Sequence, residues 1–462
     1  MANHKHGGIA MHWRICLLIP WLAVAFPAWA GTPALPSARP LEKNRARPLD
    51  VDEAIDLAFA QNPDLAAAAA RIGEAEARVV EAEAAFYPKV TARMDYAYSN
   101  NPALAFSSIV AQRRFNFGMN INQPGWVSNF RPEVVGAMNL YRGGQDAALK
   151  KAAELGVEAA ELERSALRNR LAAAVTAAYY AVLSAPKQAE VAHRSVETVA
   201  KALEHTRARV AEGMALKADV LSLEVRATEA YESELKAKNA MELSRSALKT
   251  LLGSGEMPEF REIDPGLPHP EPNFGKLLDE ALNQRPEMQA AARQVQIREQ
   301  ELEAAQGAHR PRVDAYASYG QNSRSPGDFT FNNDNGSIGL SAEVDVFSGG
   351  AVAARIQAAE RRIVEAQAIQ ERTRLEIEDE LRQAHLTLNE TLQRLKVAEA
   401  GADSAEEALR LVHEQYQGGT ATVTRYLEAE TDHANAALRA ILARYETRVA
   451  EAQLRRALGH WR

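Results

Sequence analysis

The chain repeats itself. Gln61-Asn62-Pro63-Asp64-Leu65 and Gln284-Arg285-Pro286-Glu287-Met288 each open a helical run. Those runs stop at Tyr87-Pro88-Lys89-Val90 and Arg310-Pro311-Arg312-Val313, so both proline pairs are 223 residues apart. Farther on, Tyr141-Arg142-Gly143-Gly144 matches Phe347-Ser348-Gly349-Gly350 at an offset of 206. The same offset relates Gly213 to Gly419, Leu221 to Leu427, Glu224 to Glu430, and Leu252-Gly253 to Leu458-Gly459. Two constant offsets separated by a single 17-residue change do not arise by chance. The period far exceeds the roughly 20–50 residues of solenoid repeats, so this is a duplicated domain and not an array. Repeat 1 is read over 49–253 and repeat 2 over 274–459, with 460–462 as a tail. The segment 254–273 holds Pro258, Pro265, Pro268, Pro270 and Pro272 and reads as the linker.

Each repeat follows one order: short helix, strand, loop, strand, long helix, tip, short helix. Val90, Ala92, Met94, Tyr96 and Tyr98 alternate with Thr91, Arg93, Asp95, Ala97 and Ser99. Ile338, Leu340, Ala342, Val344 and Val346 alternate with Gly339, Ser341, Glu343 and Asp345. Period-two alternation of this kind puts apolar side chains on one face of a strand and polar ones on the other. Taken alone, either segment is equally an ordinary half-buried strand. The 17 extra residues of repeat 1 fall between Ala92 and Asn139, where Phe115, Phe117, Met119 and Ile121 alternate with asparagines and Gly118. They either extend a strand or form a surface loop.

The long helices, expected over Gln145–Glu212 and Ala351–Gln417, contain only Gly156, Pro186 and Gly401 as breakers. At 1.5 Å per residue each reaches roughly 100 Å. Ile377, Leu381, Ala384, Leu388, Leu392 and Leu395 step by threes and fours, which is a coiled-coil seam. The flanking helices, Asp50–Phe86 and Asp219–Leu252, are each about half as long, so stacked end to end they match the long helix beside them.

The N-terminus carries His4, Lys5, His6 and Arg14 ahead of an apolar run from Ile15 to Phe26, then Ala28-Trp29-Ala30. A basic start, a short apolar core and a small-x-small site form an export signal over 1–30, followed by an extension over 31–48. A membrane anchor fits less well, because the run is short and Pro20 interrupts it. Cys16, the only cysteine, lies in this segment, so after cleavage no disulfide, thiol chemistry or lipid attachment through cysteine is expected. Beyond it no apolar stretch approaches the roughly 18 residues of a spanning helix. An exported chain of this kind is either soluble in the periplasm or inserted as a barrel. Four strands are too few to close a barrel across a bilayer, so several chains must share one, and three would supply twelve strands.

The repeated order, Pro88 and Pro311, the paired glycines and the tips at Gly213 and Gly419 resemble the TolC family of outer-membrane factors, from about Leu49 to Gly459. The resemblance implies a mainly α fold with membrane β: a homotrimeric twelve-stranded outer-membrane barrel continuous with a long periplasmic α-helical barrel. It implies a passive exit duct for an efflux pump or type I secretion system of a Gram-negative cell. The partners would be outer-membrane lipid, a periplasmic adaptor (membrane fusion) protein and an inner-membrane pump. Adaptor docking falls on the tips, Gly213, Met214, Ala215, Gly419 and Thr420. In members that close at this end, a tyrosine and an aspartate of the two tips hydrogen-bond, and Tyr416 and Asp219 match those positions. Ala421 replaces an arginine of that pattern and Arg425 an acidic residue, so Arg425 is expected to pair with Glu428 or Asp219. In a trimer, Asp219 and Glu428 would each form a ring of three carboxylates, able to narrow or filter the opening. Gly143, Gly144, Gly349, Gly350, Pro88 and Pro311 are read as structural turns between helix and strand.

No phosphate-binding loop, HExxH or serine elbow is present, and the histidines from His193 to His460 are scattered without metal-ligand spacing. Neither catalysis, a cofactor nor a metal is expected. A net charge of -7 gives no sign of a nucleic-acid partner. The competing reading is a soluble periplasmic coiled-coil adaptor or scaffold, which explains the long helices but not four amphipathic strands placed twice in the same order. The cargo is not legible in the chain.

Overall fold

The computed structural model describes residues 48–255, 258–262, 268, 273–328 and 331–461. The expected signal, the extension up to residue 47, and most of the 254–273 linker lie outside the described residues. Repeat 1 runs α1 (Val51–Gln61), α2 (Pro63–Glu83), β1 (Lys89–Ser99), α3 (Pro102–Ala111), β2 (Val127–Arg142), α4 (Gln145–Ala211) and α5 (Lys217–Leu252). Repeat 2 runs α6 (Phe274–Gln284), α7 (Pro286–Gly307), β3 (Arg312–Gln321), β4 (Asp334–Glu343), α8 (Ala351–Gln417) and α9 (Val423–Leu458).

Local chemistry sets these boundaries. Asp50 and Glu53 form a reciprocal capping box that starts α1. Asn62 accepts from the Asp64 N–H, and Pro63 takes the first position of α2, where no amide partner is needed. Pro286 does the same for α7. Pro88 and Pro311 sit between helix and strand in both repeats. The short helices meet end to end. The Asn62 side chain donates to the Leu251 carbonyl (2.9 Å), tying the end of α5 to the α1–α2 junction. In repeat 2, Gly459 abuts Arg285 in the same way.

α4 and α8 each have 67 residues, roughly 100 Å of helix. α4 continues through Pro186, whose missing N–H removes one helical hydrogen bond. Three cores hold the helices together. Ile55, Val175, Tyr179, Leu248 and Leu252 pack in repeat 1, and Leu277, Ile377, Leu381, Leu388 and Leu454 in repeat 2. The third, near the tips, joins both repeats through Val199, Leu223, Val412, Tyr416, Val423 and Tyr426.

The four strands form one antiparallel sheet in the order β1-β2-β3-β4, so the repeats meet at the β2–β3 pairing. A bulge between Asn139 and Tyr141 re-aims β2 into α4. Met94, Tyr96, Ile338 and Leu340 are all exposed on one face, while Arg93 pairs with Glu133 and Ser318 with Ser337 on the other. One expectation needs correction. β4 ends at Glu343, so Val344 and Val346 are not in the strand, because its only neighbour, β3, ends opposite at Arg312. The extra residues of repeat 1, left open between a strand extension and a surface loop, build α3 and a looped return through Phe115, Phe117, Met119 and Ile121. Among the described residues, no helix is long and apolar enough to cross a membrane.

Candidate functional site

The two tips lie at the end of the helical part away from the sheet. α4 turns into α5 through Gly213, Met214 and Ala215, and α8 into α9 through Gly419 and Thr420. Gly213 and Gly419 share a φ of 74°, the left-handed conformation that lets a helix stop and reverse. The Met214 N–H bonds back to the Arg209 carbonyl (2.8 Å), and the Thr420 N–H to that of Gln415 (2.9 Å). Met214 and Leu216 are exposed, giving the first tip an apolar surface.

Behind the tips the structure places a polar and aromatic cluster. Tyr416 is buried and stacks on Tyr426 at 5.0 Å between ring centroids. Burial, with the Glu430 carboxylate nearby, pushes the Tyr426 phenol up to about 12. The Tyr416 hydroxyl meets Thr206 of α4, not Asp219. Asp219 instead accepts from the Leu216 N–H (3.2 Å) and caps its own helix. The tyrosine–aspartate bond implied by the resemblance is therefore not made within one chain; the third core buries Tyr416 too deeply against α4. Arg425 pairs with Glu428 at 3.4 Å, one of its two expected partners, and both are exposed.

One strong contact had not been anticipated. Glu430 of α9, 2% exposed, accepts two hydrogen bonds from Arg226 of α5 (2.8 and 3.2 Å) and another from Ser195 of α4. It ties three helices and both repeats together. Its repeat counterpart, Glu224, pairs with Arg207 at the surface. The available signal was position: Glu430 follows Val423 and Tyr426 along the apolar stripe of α9, where an unpaired carboxylate would be costly.

At the other end, the strand-to-helix joints are Gly143-Gly144 and Gly349-Gly350, with φ of 67°, 87°, 62° and 84°. The first joint is closely packed. A Cβ on Gly143 would lie 2.2 Å from the Gly307 carbonyl oxygen, and Arg310 donates to the Gly143 carbonyl (3.0 Å). The second joint stands open: a Cβ on Gly349 would meet nothing within 4 Å. No group of residues able to hold a metal ion occurs among the described residues.

An amphipathic sheet with two free edges, joined to paired 67-residue helices that reverse at glycine tips, defines a subunit of a membrane duct with a long helical wall. Residues 54–254 and 277–460 match the family model of the outer membrane efflux protein, and the chain belongs to that family. It is an outer-membrane channel protein of the efflux class. The soluble-scaffold reading is thereby removed. Outer membrane protein TolC of Vibrio cholerae serotype O1 is 23% identical over 406 residues, covering 86% of this chain and 88% of that protein. Protein CyaE of Bordetella pertussis is 26% identical over 459 residues, covering 94% and 89%. The crystal structure of outer membrane protein VceC of Vibrio cholerae superposes with a TM-score of 0.74 at 22% identity, covering 88% of this chain and 96% of that one. At that identity the likeness speaks for the fold alone.

Proposed function

We propose that three copies of this chain close one duct, a twelve-stranded outer-membrane barrel running into a helical barrel across the periplasm, through which cargo passes from an inner-membrane pump. The observation that carries this is the open sheet. β1 and β4 each leave a row of unpaired backbone groups, which lipid cannot satisfy, and four strands cannot close on themselves.

The duplication supplies the template for the missing contacts. Inside the chain, β2 pairs with β3, α4 packs against both α2 and α7 in its upper half, and against α5 and α9 lower down. The equivalent long helix α8 packs chiefly against α7 and α9, with α6 beside them, all from its own repeat. A second copy offers its β1, α2 and α5 to β4 and α8 in the same geometry. The surfaces suit this. Val364, Leu375, Leu386 and Val397 of α8 are all more than half exposed and recur every eleven residues, which aligns them in one row after three turns. Val225, Tyr231, Leu235 and Leu243 are exposed on α5. The open joint at Gly349 corresponds to the one that receives the end of α7 at Gly143.

The tips at Gly213–Ala215 and Gly419–Thr420 dock the periplasmic adaptor, supported by their exposure and by the resemblance. Asp219 and Glu428 line the narrow end with carboxylates, Arg425 partly neutralising the second ring. Asp219→Asn with Glu428→Gln should lower cation selectivity in bilayer recordings; unchanged selectivity would remove these residues from the opening. The assembly itself is tested by extracting the protein from outer membranes in mild detergent and determining the particle mass. A mass of three chains is expected, and a monomer in the soluble periplasmic fraction would end the proposal.

A further inference from the structure

Among the described residues α3 has no α-helical counterpart in repeat 2, and its placement is specific. It sits in the connection at the end of the sheet opposite the helical wall, where β1 turns back into β2. Asn101 caps it by accepting from the Ala103 and Leu104 N–H groups (3.0 and 3.4 Å), with Pro102 in the first turn. Its far end is tied down by Gln112, only 2% exposed, whose side-chain amide donates to the Ser128 carbonyl (2.8 Å), the Asn129 side chain (3.0 Å) and the Ser323 carbonyl (3.2 Å). Arg113 reaches the Asp334 carbonyl (3.2 Å), at the start of β4. The helix and its anchor thus reach from β2 across β3 to β4.

The face it covers is the polar one. Ser107, Ser108 and Ala111 line a cleft of about 350 Å³ with Arg131, Glu133 and Ser318. Those sheet residues lie opposite the side carrying Met94, Tyr96 and Leu340. If the apolar face meets lipid, as the duct reading requires, the polar face lines the lumen, and anything laid on it takes up cross-section.

We propose that α3 is an inward-folded constriction at the outer mouth of the duct, which sets an upper size for solutes entering or leaving at that end. Three copies would bring three such helices over one lumen. Their solvent-exposed Leu104 and Val110 add an apolar element to an otherwise polar passage, the kind of surface at which a narrow pore dewets. Repeat 2 crosses the same end with a shorter connection whose described residues hold a single 3-10 turn, Phe331–Asn333, and no α-helix.

This rests on the duct reading, and the test separates the two. Cys16 is the only cysteine, so Thr91→Cys, on the polar face of β1 near its inner end, provides a reporter. Whole cells are treated from outside with a small and a large membrane-impermeant thiol reagent. The comparison protein carries the same reporter with 101–126 replaced by a short Gly-Ser connection. The small reagent should label both. The large one should react at least about tenfold more slowly while α3 is present. Gln112→Ala, which loosens the anchor without removing the helix, should shift the large-reagent rate the same way as the deletion. Equal large-reagent rates in all three proteins would overturn the constriction. Absence of labelling by the small reagent throughout would instead overturn the duct reading beneath it.

Discussion

Glu430 shows how one buried charge is kept. Its carboxylate is enclosed by α4, α5 and α9, and Arg226 answers it with two bonds from a guanidinium whose side chain is 21% exposed. Removing one partner leaves the other charge uncompensated, so Arg226→Met should destabilise the helical part by about 3 kcal/mol, read as a lower unfolding midpoint in detergent. An unchanged midpoint would mean that water reaches Glu430 freely. At the α6–α7 junction, burial acts to raise the Glu287 pKa, but the Arg285 guanidinium outweighs it and holds the carboxyl below its ordinary value. A group depressed on folding stabilises most above its unfolded pKa and loses that contribution as pH falls through the folded value. Wild-type protein should therefore lose stability below about pH 4.5 more steeply than Glu287→Gln, in unfolding midpoints taken across that range.

The two strand-to-helix joints differ in what fills them. Gly143 is pressed against the end of α7, while Gly349 has the same backbone conformation and open space around it. Gly143→Ala should thus damage folding of the single chain, through the contact with Gly307 and through backbone strain of about 1–2 kcal/mol. Gly349→Ala should leave the chain folded and reduce the yield of assembled particles on gel filtration. Equal effects of the two would contradict the idea that one joint is filled from within and the other by a neighbour. Much of this layer was legible in the sequence. The paired glycines and the tip glycines bracket α4 and α8, because only a few residues tolerate the conformations needed there. α3 was not legible, since Phe115, Phe117, Met119 and Ile121 imitate a strand by their alternation while Gln112, eleven residues past Asn101, carries the anchoring. Nor was the partner of Tyr416, which depends on how deeply α4 and α8 pack near the tips. The end of β4 escaped for a related reason. Its length depends on neighbouring strands, and the single chain provides only β3.

In the proposed duct, contacts between the repeats inside one chain are reproduced between chains, and this closes the wall. The offsets relating the repeats fix the register. Val135 stands opposite Ser318 within the chain, so Ser341 should stand opposite Asp95 of the next copy. A protein carrying Ser341→Cys and Asp95→Cys, oxidised in intact outer membranes and run without reductant, tests this directly. Covalent dimers and trimers that collapse to monomers on reduction are expected, with no cross-linking in either single variant beyond a dimer. Monomers alone from the double variant, in protein recovered from the outer membrane, would contradict the shared barrel.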